Sequence, residues 1–268
     1  MIRRALAAAS LLLALAVPAR GDDAAPKGAP REHDFVPANR LDSVFVRADS
    51  LVAARGGAHA PNARLYLSWN RPWGMPGASA VRRPRCHDAK GGDTLYLCFL
   101  PGRTSVGFCS FTAHLYFRAV NGDTLGPFWH MQAGGENAGA MIAQAGPDST
   151  FPQRTPWPET AYCEGGMEHT SRSAHVKVMA AVRYDHARPV IPDSIYTLAR
   201  LVFRYRRDLP GCDQPVCVEW ANAQLGYWIH DEPWVNLGER FVTYGGDTKL
   251  CDQFRSAGPW TAPAKPVR

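Results

Sequence analysis

Tryptophans beside prolines, seven cysteines, nine histidines and two close carboxylate pairs are the side chains that could bind or react in this chain. Trp73 follows Pro72, Trp157 lies between Pro156 and Pro158, and Trp234 follows Pro233. A fixed proline φ leaves such an indole few orientations, and a flat aromatic face suits the C–H surface of a sugar ring. Trp73, Trp157 and Trp234 are therefore the candidate ligand-binding residues. The competing reading folds each one back as a lid over apolar neighbours. Catalytic chemistry is harder to assemble. There is no GxSxG elbow, and the histidines are scattered. Glu164 with Glu168, or Asp231 with Glu232, could be named as an acid–base pair for glycoside hydrolysis, but that reaction needs two carboxyls facing each other across a cleft. The sequence nominates no catalytic residue and leans away from an enzyme. It contains no Cys-x-x-Cys, His-x-His or HExxH, so no metal site and no cofactor is expected.

The cysteines take their meaning from the N-terminus. Arg3 and Arg4 precede an apolar run, Ala5 to Val17, followed by Ala19, Gly21 and the acidic Asp22 and Asp23. That is the layout of a cleavable signal peptide over residues 1–21. The run is shorter than the roughly 20 residues a membrane helix needs, and no later stretch is long enough to span. The expected location is secreted, periplasmic or in the cell envelope. In such a compartment cysteines pair. Cys212 and Cys217 flank a Pro-containing turn, and Cys98 and Cys109 flank a PGRTSVG connection. These are the expected bridges, with any two of Cys86, Cys163 and Cys251 left for a third. Losing Arg3, Arg4 and Arg20 lowers the formal charge from +6 to +3. So small a charge, without a concentrated basic face, gives no support for nucleic-acid binding.

The elements that must hold these residues read as strands. Candidates are Leu65–Asn70, Thr94–Leu100, Thr112–Val120, Pro127–Met131, His175–Tyr184, Tyr196–Arg206, Val216–Ile229 and Arg240–Tyr244. In Tyr196–Arg206 one face carries Ala199, Leu201, Phe203 and Tyr205, and the other carries Arg200, Arg204 and Arg206. Period-two alternation puts one face on a core and the other in water. Along Val216–Ile229 the apolar positions change parity, from Val216, Val218 and Trp220 to Ala223, Leu225 and Tyr227, which predicts a bulge near Ala221–Asn222. GDTL recurs at 92–95 and 122–125 and GDTK stands at 246–249, each read as turn punctuation. Gln132–Thr160 reads as a long loop, and a short helix is expected at Leu41–Ala54. The predicted fold is all-β: a single antiparallel β-sandwich over residues 41–255, with long loops and at most one short N-terminal helix. A flexible leader (22–40) and tail (256–268) flank it.

ARLYLSWN (63–70), PWGMPGA (72–78), DTLYLCFLPGR (93–103), LYFRAVNGDTLGPFW (115–129), QPVCVEW (214–220) and GERFVTY (238–244) resemble segments of a group of exported bacterial proteins of uncharacterised function. The body of that group is similar to cohesin-like, jelly-roll-like and carbohydrate-binding-like β-sandwiches. The resemblance spans roughly Arg64 to Cys251. It implies a recognition module whose partner is a protein or a glycan at the cell surface, and it supplies no catalytic residues. Function is therefore expected to be non-enzymatic recognition of a protein or surface component, with carbohydrate binding through the loop tryptophans as the alternative and a secreted hydrolase behind both.

Overall fold

Two sheets of alternating strands face each other across an apolar layer. The computed structural model describes residues 63–86, 91–102, 104–120, 123–147, 154–192, 194–205, 209–227, 231–235 and 240–255, all within the compact unit Asp42–Arg268. The signal peptide, the leader, the Leu41–Ala54 helix and the tail lie outside the described residues.

The strands are β1 (Arg64–Trp69), β2 (Val81–Arg82), β3 (Gly92–Leu100), β4 (Ser105–Ala119), β5 (Met141–Gln144), β6 (Tyr162–His169), β7 (Ser173–Ala181), β8 (Arg188–Val190), β9 (Tyr196–Arg204), β10 (Val216–Tyr227), β11 (Asp231–Val235) and β12 (Phe241–Tyr244). The smaller sheet has the order β1-β3-β9-β5. The larger runs β2-β12-β10-β4-β7-β6, with β8 added to β4 and β11 to β10. Pairing is antiparallel except between β2 and β12. The all-β sandwich read from the sequence is the fold.

The core is built by the predicted alternation. Leu95, Leu97 and Phe99 of β3 and Leu201 and Phe203 of β9 meet Phe111, Leu115 and Phe117 of β4 and Val176 and Val178 of β7, all buried. Trp69, Trp129, Trp157 and Trp220 are its largest fully buried side chains. The register of β10 against β4 shifts between Trp220 and Asn222, so Val216, Val218 and Trp220 and then Ala223, Leu225 and Tyr227 all face inward. The parity change in the sequence marks this bulge.

Several expectations are corrected. Pro127–Met131 is not a strand. Pro127 opens a 3-10 turn, Pro127–Trp129, because proline lacks the N–H a ladder needs and its φ suits the first turn of a helix. Gln132–Thr160 is not all loop, since it contains β5. Asp93 of the first GDTL does not punctuate a turn. It lies inside β3, 1% exposed, where the Arg82 guanidinium and the Tyr205 hydroxyl both donate to its carboxylate. Burial works against the Arg82 charge, but the adjacent Asp93 outweighs it and raises the guanidinium pKa. Tyr244 is raised too, by burial first and by Asp93 second. Asp247 of GDTK does act locally, accepting from the Lys249 N–H at 2.9 Å at the start of a 3-10 turn.

The disulfides are also not those expected. Cys86 bonds Cys212 and Cys217 bonds Cys251, with Cα separations of 5.8 and 5.4 Å. Cys98 and Cys109 cannot meet across a hairpin because β3 and β4 belong to different sheets. Cys217 lies within β10, opposite Thr243 of β12 and Arg118 of β4, and its partner Cys251 closes the 3-10 turn Thr248–Cys251 that follows β12, immediately before the short helix Asp252–Arg255. Cys98, Cys109 and Cys163 stay as thiols.

Candidate functional site

The outward positions of the large sheet are where its polar and aromatic side chains gather. Alternation sends Thr112, His114, Tyr116 and Arg118 of β4 and His175, Lys177 and Met179 of β7 away from the core. In register they form rungs. Glu168 pairs with His175, His175 with Tyr116, Tyr116 with Glu219, and Glu219 with Phe241. One row thus crosses five strands, from β6 to β12.

The contacts along this rung are close. The Tyr116 and His175 rings stack with centroids 5.0 Å apart. His114 Nδ1 and His175 Nε2 are 2.8 Å apart, and the two rings are coplanar within 4° at a centroid distance of 5.0 Å. That centroid distance is one hydrogen bond plus a ring radius at either end, so the imidazoles meet edge to edge and share one proton. His175 Nδ1 lies 3.8 Å from Glu168. Burial, then His175 and Lys177, lower the His114 pKa and hold the ring neutral. Burial raises the Tyr116 hydroxyl.

Toward β12 the rung becomes cationic. The buried Glu219 carboxylate lies 2.9 Å from Arg118 and 3.8 Å from Arg240. Oε2 of Glu219 still lacks a well-aligned hydrogen bond, so its contact with Arg118 is ionic rather than directional. Arg118 also covers the rings of Tyr116 and Phe254 at 5.2 and 5.3 Å, and Arg240 and Arg255 both lie over Phe241. The Cys217–Cys251 bridge fastens Phe254 and its short helix onto this end.

The sequence-nominated residues are not brought together. Trp157 is not available to a ligand. It is fully buried against Phe108 and Phe111, and its Nε1 donates to the Leu198 carbonyl at 2.5 Å. Trp73 is half-buried and lies flat on Tyr66, with centroids 3.9 Å apart, covering Tyr66, Tyr96 and Cys98 on the other sheet. It acts as the lid of the competing reading. The backbone of Trp234 runs in β11, and its side chain is outside the described ones, as are those of Asp231 and Glu232. Glu164 and Glu168 stand four residues apart on one strand, about 13 Å, and on an open face. That spacing exceeds what either glycosidase mechanism uses. Burial pushes the thiols of Cys98 and Cys163 up to about 11, away from nucleophilic thiolates.

Two other clusters have less to offer. His130 Nδ1 is 2.6 Å from Glu136 and its Nε2 is 3.1 Å from the Leu125 carbonyl, so both ring nitrogens are already engaged beside His169. Among the described residues no group of three or more histidine, cysteine or acidic side chains is arranged to hold a metal. A shallow cleft of about 900 Å³ lies by Arg82, Arg83, Asp213 and Asp247. Its cations are matched by acids, and Arg82 is already committed to Asp93. No local pattern marks the rung, because its members come from five strands and only the registers align them.

No family model matches the chain, and no curated protein matches it. Two solved structures are similar in outline. One is the second type II cohesin module from a cellulosomal adaptor scaffoldin of Acetivibrio cellulolyticus, at 7% identity over 69% of this chain and 96% of that one, with a TM-score of 0.35. The other is a type I cohesin–dockerin complex from Clostridium thermocellum, at 10% identity over 68% and 92%, also with a TM-score of 0.35. At that similarity neither neighbour says what this chain binds.

Proposed function

We propose that this protein is an exported, non-enzymatic recognition module that binds a protein partner through the outer face of its large sheet. The observation that carries the reading is the rung from Glu168 to Phe241. Tyrosine and arginine are enriched among the residues that supply most of the binding energy at protein interfaces and phenylalanine is enriched in such interfaces; here Tyr116, Arg118 and Phe241 stand on strands, and Phe254 is tied to them through the Cys217–Cys251 bridge. Charge complementarity sets partner choice and encounter rate, and this face changes sign along its length, from Glu164 and Glu168 on β6 to Arg118, Arg240 and Arg255 near β12. Export is supported by the sequence of residues 1–21 and by two bridges suited to an oxidising compartment. Binding to a surface glycan would have to rest on Trp73 or Trp234, since Trp157 is in the core.

A photo-cross-linker placed at Lys177 tests the face, with one at Trp73 as the control on the opposite sheet. In the native cell envelope the Lys177 probe should capture a defined protein, and Phe241→Ala or Phe254→Ala should abolish the capture. Equal capture from both probes, unaffected by either substitution, would sink the proposal. N-terminal sequencing of the exported product should begin after residue 21.

A further inference from the structure

We infer that β6 is a docking edge for an extended, basic segment of a partner protein, which adds to the large sheet as its next strand. The inference rests on the recognition reading and names the partner's chemistry.

β6 ends the sheet order, and among the described residues its only strand neighbour is β7. It keeps register with β7 over all eight residues, Tyr162↔Ala181 to His169↔Ala174, with no bulge and no proline. Sheet edges of this kind are normally blunted by a bulge, a proline or a lysine, because their outward N–H and C=O groups pair with any strand that arrives. Gly165 and Gly166 at its centre are exposed. Neither glycine has a side chain, so at these two positions no side chain of β6 itself shields the edge.

The two glycines have different reasons to be there. A Cβ on Gly165 would stand 2.6 Å from the Ala143 Cβ of β5, so Gly165 lets the two sheet edges close together and fixes where β6 lies. A Cβ on Gly166 would meet nothing within 4 Å. Its missing side chain opens a groove of about 320 Å³ bordered by Glu164, Glu168, His175, Lys177 and Met179.

The borders specify the occupant. Glu164 and Glu168 share a face with Gly166 between them, so a strand laid alongside places two of its residues, four apart, opposite the two carboxylates. Opposite charges in directly facing positions favour pairing, and like charges oppose it. Those two residues are therefore Lys or Arg. The residue midway lies over Gly166, facing Lys177 and Met179. A cation there would be repelled by Lys177, whereas an aromatic ring covers an edge glycine and contacts both side chains. The recognised segment is basic-x-aromatic-x-basic in extended form. A second copy of this chain fits badly, because antiparallel pairing centred on Gly166 sets Glu164 against the copy's Glu168.

The test uses the full chain and a synthetic peptide, Thr-Lys-Val-Tyr-Val-Lys-Thr, followed by fluorescence anisotropy and amide hydrogen exchange. The peptide should bind, and alternate β6 amides that exchange quickly in the free protein should become protected. N-methylation of one alternate set of peptide amides should abolish binding, and methylation of the other set should leave it. The exposed-site double variant Glu164→Lys/Glu168→Lys should bind roughly tenfold or more weakly and should prefer the peptide with Glu in place of Lys. Three results would overturn the inference: no binding, equal tolerance of both methylation sets, or β6 amides all protected before peptide is added, because another segment or a second copy then holds the edge. If the peptide fails while capture through Lys177 still depends on Phe241, strand addition alone is refuted. If the peptide binds in the predicted pattern while that capture is insensitive to Phe241, strand addition stands and the face reading falls.

Discussion

Asp93→Ala should cost the fold about 4 kcal/mol, although the residue touches no candidate ligand surface. The carboxylate is 1% exposed and bridges three elements: its own strand β3, Arg82 on β2 and Tyr205 just after β9. Removing one partner of a buried ion pair costs roughly 3–5 kcal/mol, and the lower end applies here because Arg82 is only partly buried and is rehydrated in part. The Tyr205 hydroxyl also loses its acceptor, roughly another 1–3 kcal/mol that overlaps the first loss. Asp93→Asn keeps the shape and one acceptor but not the charge, and should cost about half as much. In the pair variant Arg82→Met/Asp93→Leu both charges are gone, and stability should return to within about 1–2 kcal/mol of the parent. Urea unfolding at pH 7 reads these proteins together with the single variants Arg82→Met and Asp93→Leu, with equal m-values required before midpoints are compared. A loss below about 1 kcal/mol for Asp93→Ala, or simple additivity of the Arg82 and Asp93 changes, would refute the claim that this pair locks β2 onto the sandwich.

Trp157→Ala should destabilise by about 3–5 kcal/mol as a core cavity, whereas Trp73→Ala should shift the urea midpoint much less, since Trp73 is half-buried; equal effects would contradict their placement. Replacing Cys217 and Cys251 by serine should cost up to about 4 kcal/mol from the chain entropy of a 34-residue separation, measured as a lower thermal midpoint, and a Cys212–Cys217 linked peptide in the mass map would contradict the observed pairing. His114 and His169 both have lowered pKa values, chiefly from burial. The unfolded chain therefore takes up their protons first, and stability should be complete above about pH 6.5 and decline as pH falls from there toward the folded pKa values. His114→Gln should flatten that decline in urea titrations between pH 7.5 and 5, and an unchanged slope would show that burial does not disfavour the charged His114 ring in the folded protein.

What the sequence shows plainly is whatever one strand carries within itself. The alternation in Tyr196–Arg204, the buried face Val176, Val178 and Ala180, and the parity change at the β10 bulge are all local and period-two, and each is found where expected. β6 carries no such signal because none of its residues is fully buried, so it needs little apolar alternation, and its Gly165-Gly166 pair resembles a loop. Pro127–Met131 misled in the opposite way, being apolar enough for a strand but opened by a residue that cannot donate to one. The bridges and the Arg82–Asp93 pair were not legible because their partners are set by which sheet each strand joins. Cys86 and Cys212 are 126 residues apart, and no local spacing reports that distance.

The same division explains why the candidate site lies on the outside of this sandwich. The two inner faces are committed to large apolar side chains in close ring contact, with Trp129 set edge-on to Phe128 and Tyr244, and a packed interior of that kind leaves no room for a ligand. On the outer face of the small sheet Trp73 already covers Tyr66, Tyr96 and Cys98. On the large sheet, β4 places its outward side chains between two neighbours over nearly its whole length, so that each is held from both sides. A binding surface made this way loses little entropy when a partner arrives, because its side chains are already ordered. The free choice that remains lies at its margins, in the open backbone and carboxylates of β6 and in the arginine–phenylalanine cluster at β12. On the recognition reading proposed above, selectivity for one partner over another is set there.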